Sequence, residues 1–447
     1  MTEEQQEPKK DKKAPPANLV IPPKKPKLSK AERRALQEKQ RAEKAARQQE
    51  SGAGGKPQQQ QTQEKQEPAP KPAEKQATNK PTKQPTNEVE QAKKKGNDKQ
   101  IDLFSHLPQY QDLPNPHAEE FTSTLHPAVI ELGMKYATAS IRGGNSRCRA
   151  MMQTFSKVLD DYFPGDDVTD YRSHFDQFVL KPSFTFWTTR CRPHSVSMGN
   201  AFTFLKTAVA SLNRDIPLEE GKEILQETIE RYLLERLEYA GRAIAQHAMS
   251  KIENGDVVLT FGNSETIAVL LKTAKEKGIS FYVWVVDSRP LFEGQHMLQT
   301  LREADIPCGY IQLNALTYVM QQVTKVFLGA SALMSNGSIY GRIGTAGVAL
   351  LARDQHIPVL CCCETYKISN KVQLESITQN ELGNPEELVH GESLANWKEI
   401  PNLKLLNLVY DVTPAEFVSG IVTEVGLIPP TSIAVLLREM NPQDAAY

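Results

Sequence analysis

Residues 325–367 read KVFLGASALMSNGSIYGRIGTAGVALLARDQHIPVLCCCETYK, and this stretch decides the fold. The apolar run 326–328 has the length and composition of a buried strand, and 358–363 is a second. Between them a loop ends at Asn336 and Gly337, and the glycine-bearing segment that follows predicts a helix. Strand, loop, helix and strand form the unit with which an α/β protein holds a phosphorylated ligand, because free N–H groups at a helix start attract anions. Three consecutive cysteines, Cys361, Cys362 and Cys363, are expected to alternate between the two faces of the second strand as small buried apolar residues.

The same rhythm continues on both sides. Short apolar runs occur at 257–261, 281–286, 308–313, 325–328, 357–363 and 405–409, with helical segments such as 265–277 and 294–304 between most of them. This alternation predicts the α/β class: a Rossmann-like parallel-sheet domain over 253–447, covered on both faces and built with right-handed crossovers. Ligands in such folds bind beyond the carboxyl ends of the strands, so the loops 262–265, 287–294, 329–345 and 363–367 are the candidates. Upstream, 101–252 predicts a helical domain. Met151, Phe155, Val158 and Tyr162 line one helix face, and Leu225, Ile229, Tyr232, Leu233, Leu237, Ala240 and Ile244 repeat the spacing over five turns after Pro217.

Composition divides the 447 residues unevenly. Residues 1–100 hold no Phe, Trp or Tyr and carry 24 Lys+Arg against 14 Asp+Glu, a net +10, while the remainder carries 29 against 40, a net −11. A segment so poor in apolar surface is expected to be a disordered basic tail. Within it 27–49 is a possible helix, opened by the capping-box pair Ser29 and Glu32 and formed on a partner. The tail is a solvated charged linker or an arm touching the ribosome, RNA or an acidic protein, and charge alone does not separate these. No apolar run reaches membrane-spanning length and the start lacks the apolar core of a signal peptide, so a cytosolic protein without membrane contact is expected. The six cysteines show no C-x-x-C spacing, so neither a metal nor a redox pair is expected, and no cofactor.

The strand-end loops offer groups suited to a phosphorylated small molecule. Arg289, in D-S-R-P, could grip a phosphate with two parallel hydrogen bonds, Asn336 and Gly337 lead into the expected helix, and Arg342 follows one turn later. Arg142 and Gly143, in I-R-G-G, add a charge and a place where backbone can approach a ligand closely.

In this order and spacing, N-G-S-I-Y-G-R-I-G-T (336–345), D-S-R-P and I-R-G resemble the superfamily of isomerases acting on ribose 1,5-bisphosphate and methylthioribose 1-phosphate. The alpha/beta/delta regulatory subunits of eukaryotic translation initiation factor 2B belong to the same superfamily. The chain is similar to that branch through LFSHLPQY (103–110), CRPHSVSMGNA (191–201), VVDSRPLFEG (285–294), CCETYK (362–367) and LVYDVTPAEFV (408–418). The resemblance covers about 101–438 and touches the tail through LSKAERRALQE.

What the resemblance implies is a frame without its chemistry. Moving a carbonyl between sugar carbons needs groups that take and return a proton, and the isomerases use a cysteine and an aspartate. Gly262 stands at the first of those positions and Ser331 at the second, so both catalytic positions are expected to be lost. Arg142, Gly143, Arg289, Asn336, Gly337 and Arg342 would remain as a vestigial phosphate pocket or a regulatory one. Gly341, Gly344 and Gly347, taken as a flat band on one helix, are the candidate subunit interface, with the sheet as the alternative neighbour.

By the same resemblance the chain is a non-catalytic regulatory subunit of the guanine-nucleotide exchange factor for translation initiation factor 2. It would assemble with alpha, beta, gamma and epsilon subunits and help sense phosphorylation of the initiation factor 2 alpha subunit. The alternatives are a sugar-phosphate-binding sensor and an isomerase-like enzyme using the retained pocket.

Overall fold

The computed structural model describes residues 99–440 apart from 112–113, 116–117, 119–120, 122, 166 and 392–393. The basic tail and its possible helix at 27–49 lie outside the described residues. Helices come first: Pro127–Ala137 (α1), Gly144–Asp160 (α2), a helical run over 171–191, Val196–Ser211 (α3), Leu218–Tyr232 (α4) and Ala240–Met249 (α5). The apolar faces of α1 to α4 share one core containing Met151, Phe155, Val158, Tyr162, Leu225, Ile229, Tyr232 and Leu237, whereas α5 packs through Ile244, Ala245 and Ala248 with Val258 and Ile267 in a second core. The helix expected to follow Pro217 is there, but α4 passes into α5 through a π-helical stretch, Leu233–Tyr239. The wider turn explains the step of five from Tyr232 to Leu237, which keeps both side chains on the buried face.

The strands follow the switch in period. Val257–Phe261 (β1) pairs in parallel with Tyr282–Asp287 (β2) on one side and with Lys325–Gly329 (β4) on the other. Cys308–Gln312 (β3) extends the sheet beyond β2, and Val359–Cys362 (β7) and Gly420–Thr423 (β10) extend it beyond β4. Gly426–Ile428 (β11) closes that edge antiparallel to β10, so the sheet is parallel except at its last strand. Helices Glu265–Glu276 (α6) and Gly294–Glu303 (α7) lie between the strands as expected. Alternate residues serve opposite faces. Val258, Val283 and Phe327 pack with Ile267, Leu270 and Met297, whereas Leu259, Val286 and Val326 pack with Val348 and Ala349. Cys361, Cys362 and Cys363 are all buried and divide between two clusters in this way.

The segment after β4 departs from expectation. Ala332–Met334 (β5) and Ile339–Arg342 (β6) form an antiparallel hairpin in a second sheet, ordered β8-β5-β6-β9 with Ile368–Ser369 (β8) and Tyr410–Thr413 (β9). Asn336 and Gly337 are the turn of that hairpin and open no helix; the helix starts only at Thr345–Asp354 (α8). Gly341 therefore lies in a strand, Gly344 caps the helix in the left-handed region at φ 109°, and Gly347 alone is helical. The three make no common helical band, which removes the premise of the interface expectation. The run 405–409 is likewise not the strand; pairing begins at Tyr410, where apolar and polar residues alternate.

Gly337 has a packing role in place of a phosphate-binding one. Its φ is +80°, and a Cβ there would lie 2.4 Å from the Pro430 carbonyl oxygen, a backbone atom that cannot swing aside. Gly337→Ala is expected to lower unfolding free energy by about 1–3 kcal/mol, read as a lower urea midpoint with an unchanged m-value.

Candidate functional site

Strands β1, β2 and β3 run outward in one direction and β4, β7 and β10 in the other, so the chain reverses direction between β1 and β4. At that switch point the loops beyond β1 and β4 separate and leave a crevice. A cleft of about 570 Å³ opens there, walled by Asn263, Ser264, Glu265 and Thr266 after β1 and by Gly329, Ala330 and Ser331 after β4. The loop entering α2 supplies Arg142, Gly143 and Asn145 from the helical region, and Glu293, Arg342 and Lys367 complete the wall.

Buried charge fixes the floor. Glu364 is 0% exposed and pairs with Lys367 at 2.6 Å. Its Oε1 accepts from Asn145 Nδ2 at 2.8 Å and from Thr266 Oγ1 at 2.7 Å. The Tyr366 hydroxyl donates to Asn145 Oδ1 at 2.6 Å, and Lys367 Nζ donates to the Ala330 carbonyl at 3.4 Å. Burial alone would raise the Glu364 pKa, but the Lys367 ammonium and the two donors outweigh it and hold the carboxyl below its ordinary range. Burial would likewise lower Lys367, and the Glu364 charge holds it above the ordinary value. Both groups are therefore ionised at neutral pH.

The arginines are committed internally. Arg342 donates from Nε and Nη2 to the two oxygens of Glu293 at 2.8 and 2.7 Å, under the Tyr410 ring at 5.0 Å. Arg192 donates to Glu381 Oε1 at 2.6 Å. Arg142 is exposed at the cleft mouth and donates to the Ala139 and Leu291 carbonyls at 2.9 and 3.3 Å. Arg289 lines a neighbouring crevice together with Gly262, outside the main cleft. Asn336 donates to the Gln373 carbonyl at 3.1 Å and, with Gly337, is not among the residues that wall the cleft. Of the expected pocket, Arg142, Gly143 and Arg342 come together, and Ser331 joins them; Arg289 meets Arg342 only in the neighbouring crevice, and Asn336 and Gly337 line neither.

The positions expected to have lost their chemistry carry little that could move a proton. Gly262 has φ +64° and nothing within 4 Å of a Cβ built on it. Ser331 hydrogen-bonds through its backbone N–H to the Tyr340 carbonyl at 2.9 Å. The six thiols are pushed up by burial, Cys148 and Cys191 to about 12, so none forms a ready thiolate. Among the described residues no cluster of three His, Cys, Asp or Glu could hold a metal, and no helix is long and apolar enough to cross a membrane.

Sequence reasoning did not find Glu293, Glu381, Glu364, Lys367, Asn145 or Asp411. Only Glu364 and Lys367, three apart in CCETYK, were close enough in sequence to suggest a pair. Asp411 caps α8 from a distant strand, its Oδ2 accepting from the Gly344 and Ala346 N–H groups at 2.7 and 3.0 Å. Burial raises its pKa to about 6, the two N–H groups opposing the shift.

The architecture and cleft define an α/β protein with a ligand-type crevice at its switch point, and comparison with known proteins makes the class specific. Residues 140–430 match the Initiation factor 2 subunit family. The translation initiation factor eIF2B subunit delta of Schizosaccharomyces pombe is 41% identical over 78% of this chain and 76% of its own length. The ribose 1,5-bisphosphate isomerase of Pyrococcus furiosus is 33% identical over 70% and 93%. The crystal structure described as the tetrameric eIF2B-beta2-delta2 complex from C. thermophilum superposes with TM-score 0.64 at 31% identity, covering 72% of this chain and 97% of that one. The chain belongs to the Initiation factor 2 subunit family, and within it resembles the delta subunits of the translation initiation factor eIF2B.

Two outcomes follow from the buried groups. Lys367→Met strands the Glu364 charge and is expected to cost about 3–5 kcal/mol in denaturant unfolding, whereas Glu364→Gln with Lys367→Met recovers most of that loss. For Asp411 the folded pKa lies above the ordinary 3.8, so its contribution is fully present below pH 3.8 and is lost as pH rises through about 6. Asp411→Asn keeps a cap acceptor without the charge, and is expected to raise the neutral-pH melting temperature and flatten its slope between those two pH values.

Proposed function

We propose that the chain is a non-catalytic regulatory subunit of the guanine-nucleotide exchange factor for translation initiation factor 2, working in the cytosol. It scaffolds the complex with alpha, beta, gamma and epsilon subunits, and its helical region helps sense phosphorylation of the initiation factor 2 alpha subunit. The observation that carries the reading is the 41% identity, over most of the chain, to a delta subunit of that factor. The cleft supports it. Gly262 and Ser331 stand where the resemblance puts the isomerases' proton-transfer groups, and no thiol in the described chain is activated. Arg342, the arginine best placed to grip a phosphate, is already forked onto Glu293. The isomerase-like alternative rests on the lower 33% identity to a ribose 1,5-bisphosphate isomerase, and no separate observation favours a sugar-phosphate sensor.

The tail belongs to the same proposal as a basic arm for RNA, the ribosome or an acidic partner. Capture of the full chain from cell extract, followed by identification of the retained proteins, tests the main reading. Beta and epsilon subunits are expected to be retained together, and recovery of neither contradicts it.

A further inference from the structure

Arg342 forms part of the cleft wall, and its guanidinium fork is filled from within the chain. A planar fork of two N–H groups recognises a carboxylate and a phosphoryl group with the same geometry, so the two compete for one site. Glu293 takes both oxygens' worth of that fork at 2.8 and 2.7 Å. Next to it, within electrostatic reach, Glu381 holds Arg192 at 2.6 Å, and both carboxylates help keep Arg342 protonated against the cost of burial.

Arg147 completes the cluster. It is 2% exposed, donates to the Pro193 carbonyl at 2.6 Å and is pushed down to about 10, first by burial and then by neighbouring Arg192. Three guanidinium groups thus stand against two carboxylates. Nη1 of Arg342, Nη1 of Arg192 and Nε of Arg147 are buried without an acceptor among the described residues. Cations within electrostatic reach of one another need anions among them, and here the anions belong to the chain.

We propose that Glu293 is a built-in counter-ion that occupies the Arg342 face of the cleft in place of an external oxyanion, and that Glu381 serves the neighbouring Arg192 in the same way. This rests on the reading of the chain as a non-catalytic subunit and states how its cleft came to stay folded without a ligand. The class of ligand displaced is a small oxyanion such as inorganic phosphate or a phosphate monoester. Removing one carboxylate while keeping its shape opens the fork to that ligand.

The test is calorimetric titration of the full chain with inorganic phosphate at constant ionic strength. It compares the unsubstituted protein with Glu293→Gln, Glu381→Gln and the double variant Glu293→Gln/Arg342→Met, each checked for folding by circular dichroism. Glu293→Gln is expected to bind phosphate at least about tenfold more tightly than the unsubstituted chain, the scale of one charged hydrogen bond, and Arg342→Met to abolish the gain. If Glu293→Gln does not fold, Glu381→Gln reads the same exchange at Arg192. If neither folds in phosphate-free buffer, recovery of folding in phosphate supports the proposal, and failure in both buffers overturns it. Equal phosphate affinity in the folded variants and the unsubstituted chain overturns it, as does a gain that survives Arg342→Met. Retention of beta and epsilon subunits by the unsubstituted chain is read separately, so the failure of one proposal is distinguishable from the failure of the other.

Discussion

The ion pair between Glu364 and Lys367 is the constraint on which the remaining geometry depends. It sits beyond the end of β7 with the carboxylate wholly shielded from solvent, and it reaches the helical region through Asn145 and the sheet region through Thr266 and Ala330. Tyr366, between the two charges, enters the helical core and donates to Asn145. Separating helices from sheet would break the bonds of Asn145 to Glu364 and Tyr366 and uncover the apolar surface around Tyr366. Further ties run in parallel: Asn200 to the Tyr366 and Ile368 carbonyls, Arg149 to Glu265, and Arg192 to Glu381. The cleft exists because these contacts hold the loop before α2 over the ends of β1 and β4.

Within that frame the groups expected for catalysis and those present for stability have changed places. The cleft wall is polar and charged, and its buried charges are paired, lysine with glutamate on the floor and arginine with glutamate at the side, while Arg142 stays exposed at the mouth. Buried forks of this kind favour a fixed geometry more than they add net stability, since desolvation offsets much of their attraction. A wall whose buried charges are held in fixed pairs suits a body whose surfaces serve assembly, where a precise shape matters. The likeness to delta subunits and to a beta2-delta2 tetramer fits such a body.

The sheet was legible in the sequence wherever burial imposed a clear period. Strands β1, β2, β3, β4 and β7 and helices α6 and α7 lie where runs of apolar residues and helical spacing put them, because the inner strands bury both faces, the edge strand β3 is half-buried, and each helix buries one stripe. The hairpin of β5 and β6 stands where a loop and helix are expected. Asn336-Gly337 flanked by short apolar segments is a hairpin signal, and the glycines beyond it belong to a strand and a cap, not to a helix. Two of the six expected pocket residues leave the cleft for that reason, since Asn336 and Gly337 turn a hairpin against Pro430. The resident carboxylates were illegible for a different reason. Glu293 meets Arg342 across 49 positions, Glu381 meets Arg192 across 189, and Glu364 meets Asn145 across 219, separations at which a single sequence carries no pairing signal.

The central claim is that this chain keeps the frame of a sugar-phosphate isomerase without the groups that move protons. Phosphorus NMR of ribose 1,5-bisphosphate held with a stoichiometric amount of the purified chain tests it most directly. The account predicts an unchanged spectrum over many hours, with the sugar recovered intact. Conversion of the sugar to its keto isomer above the rate in buffer alone would contradict it.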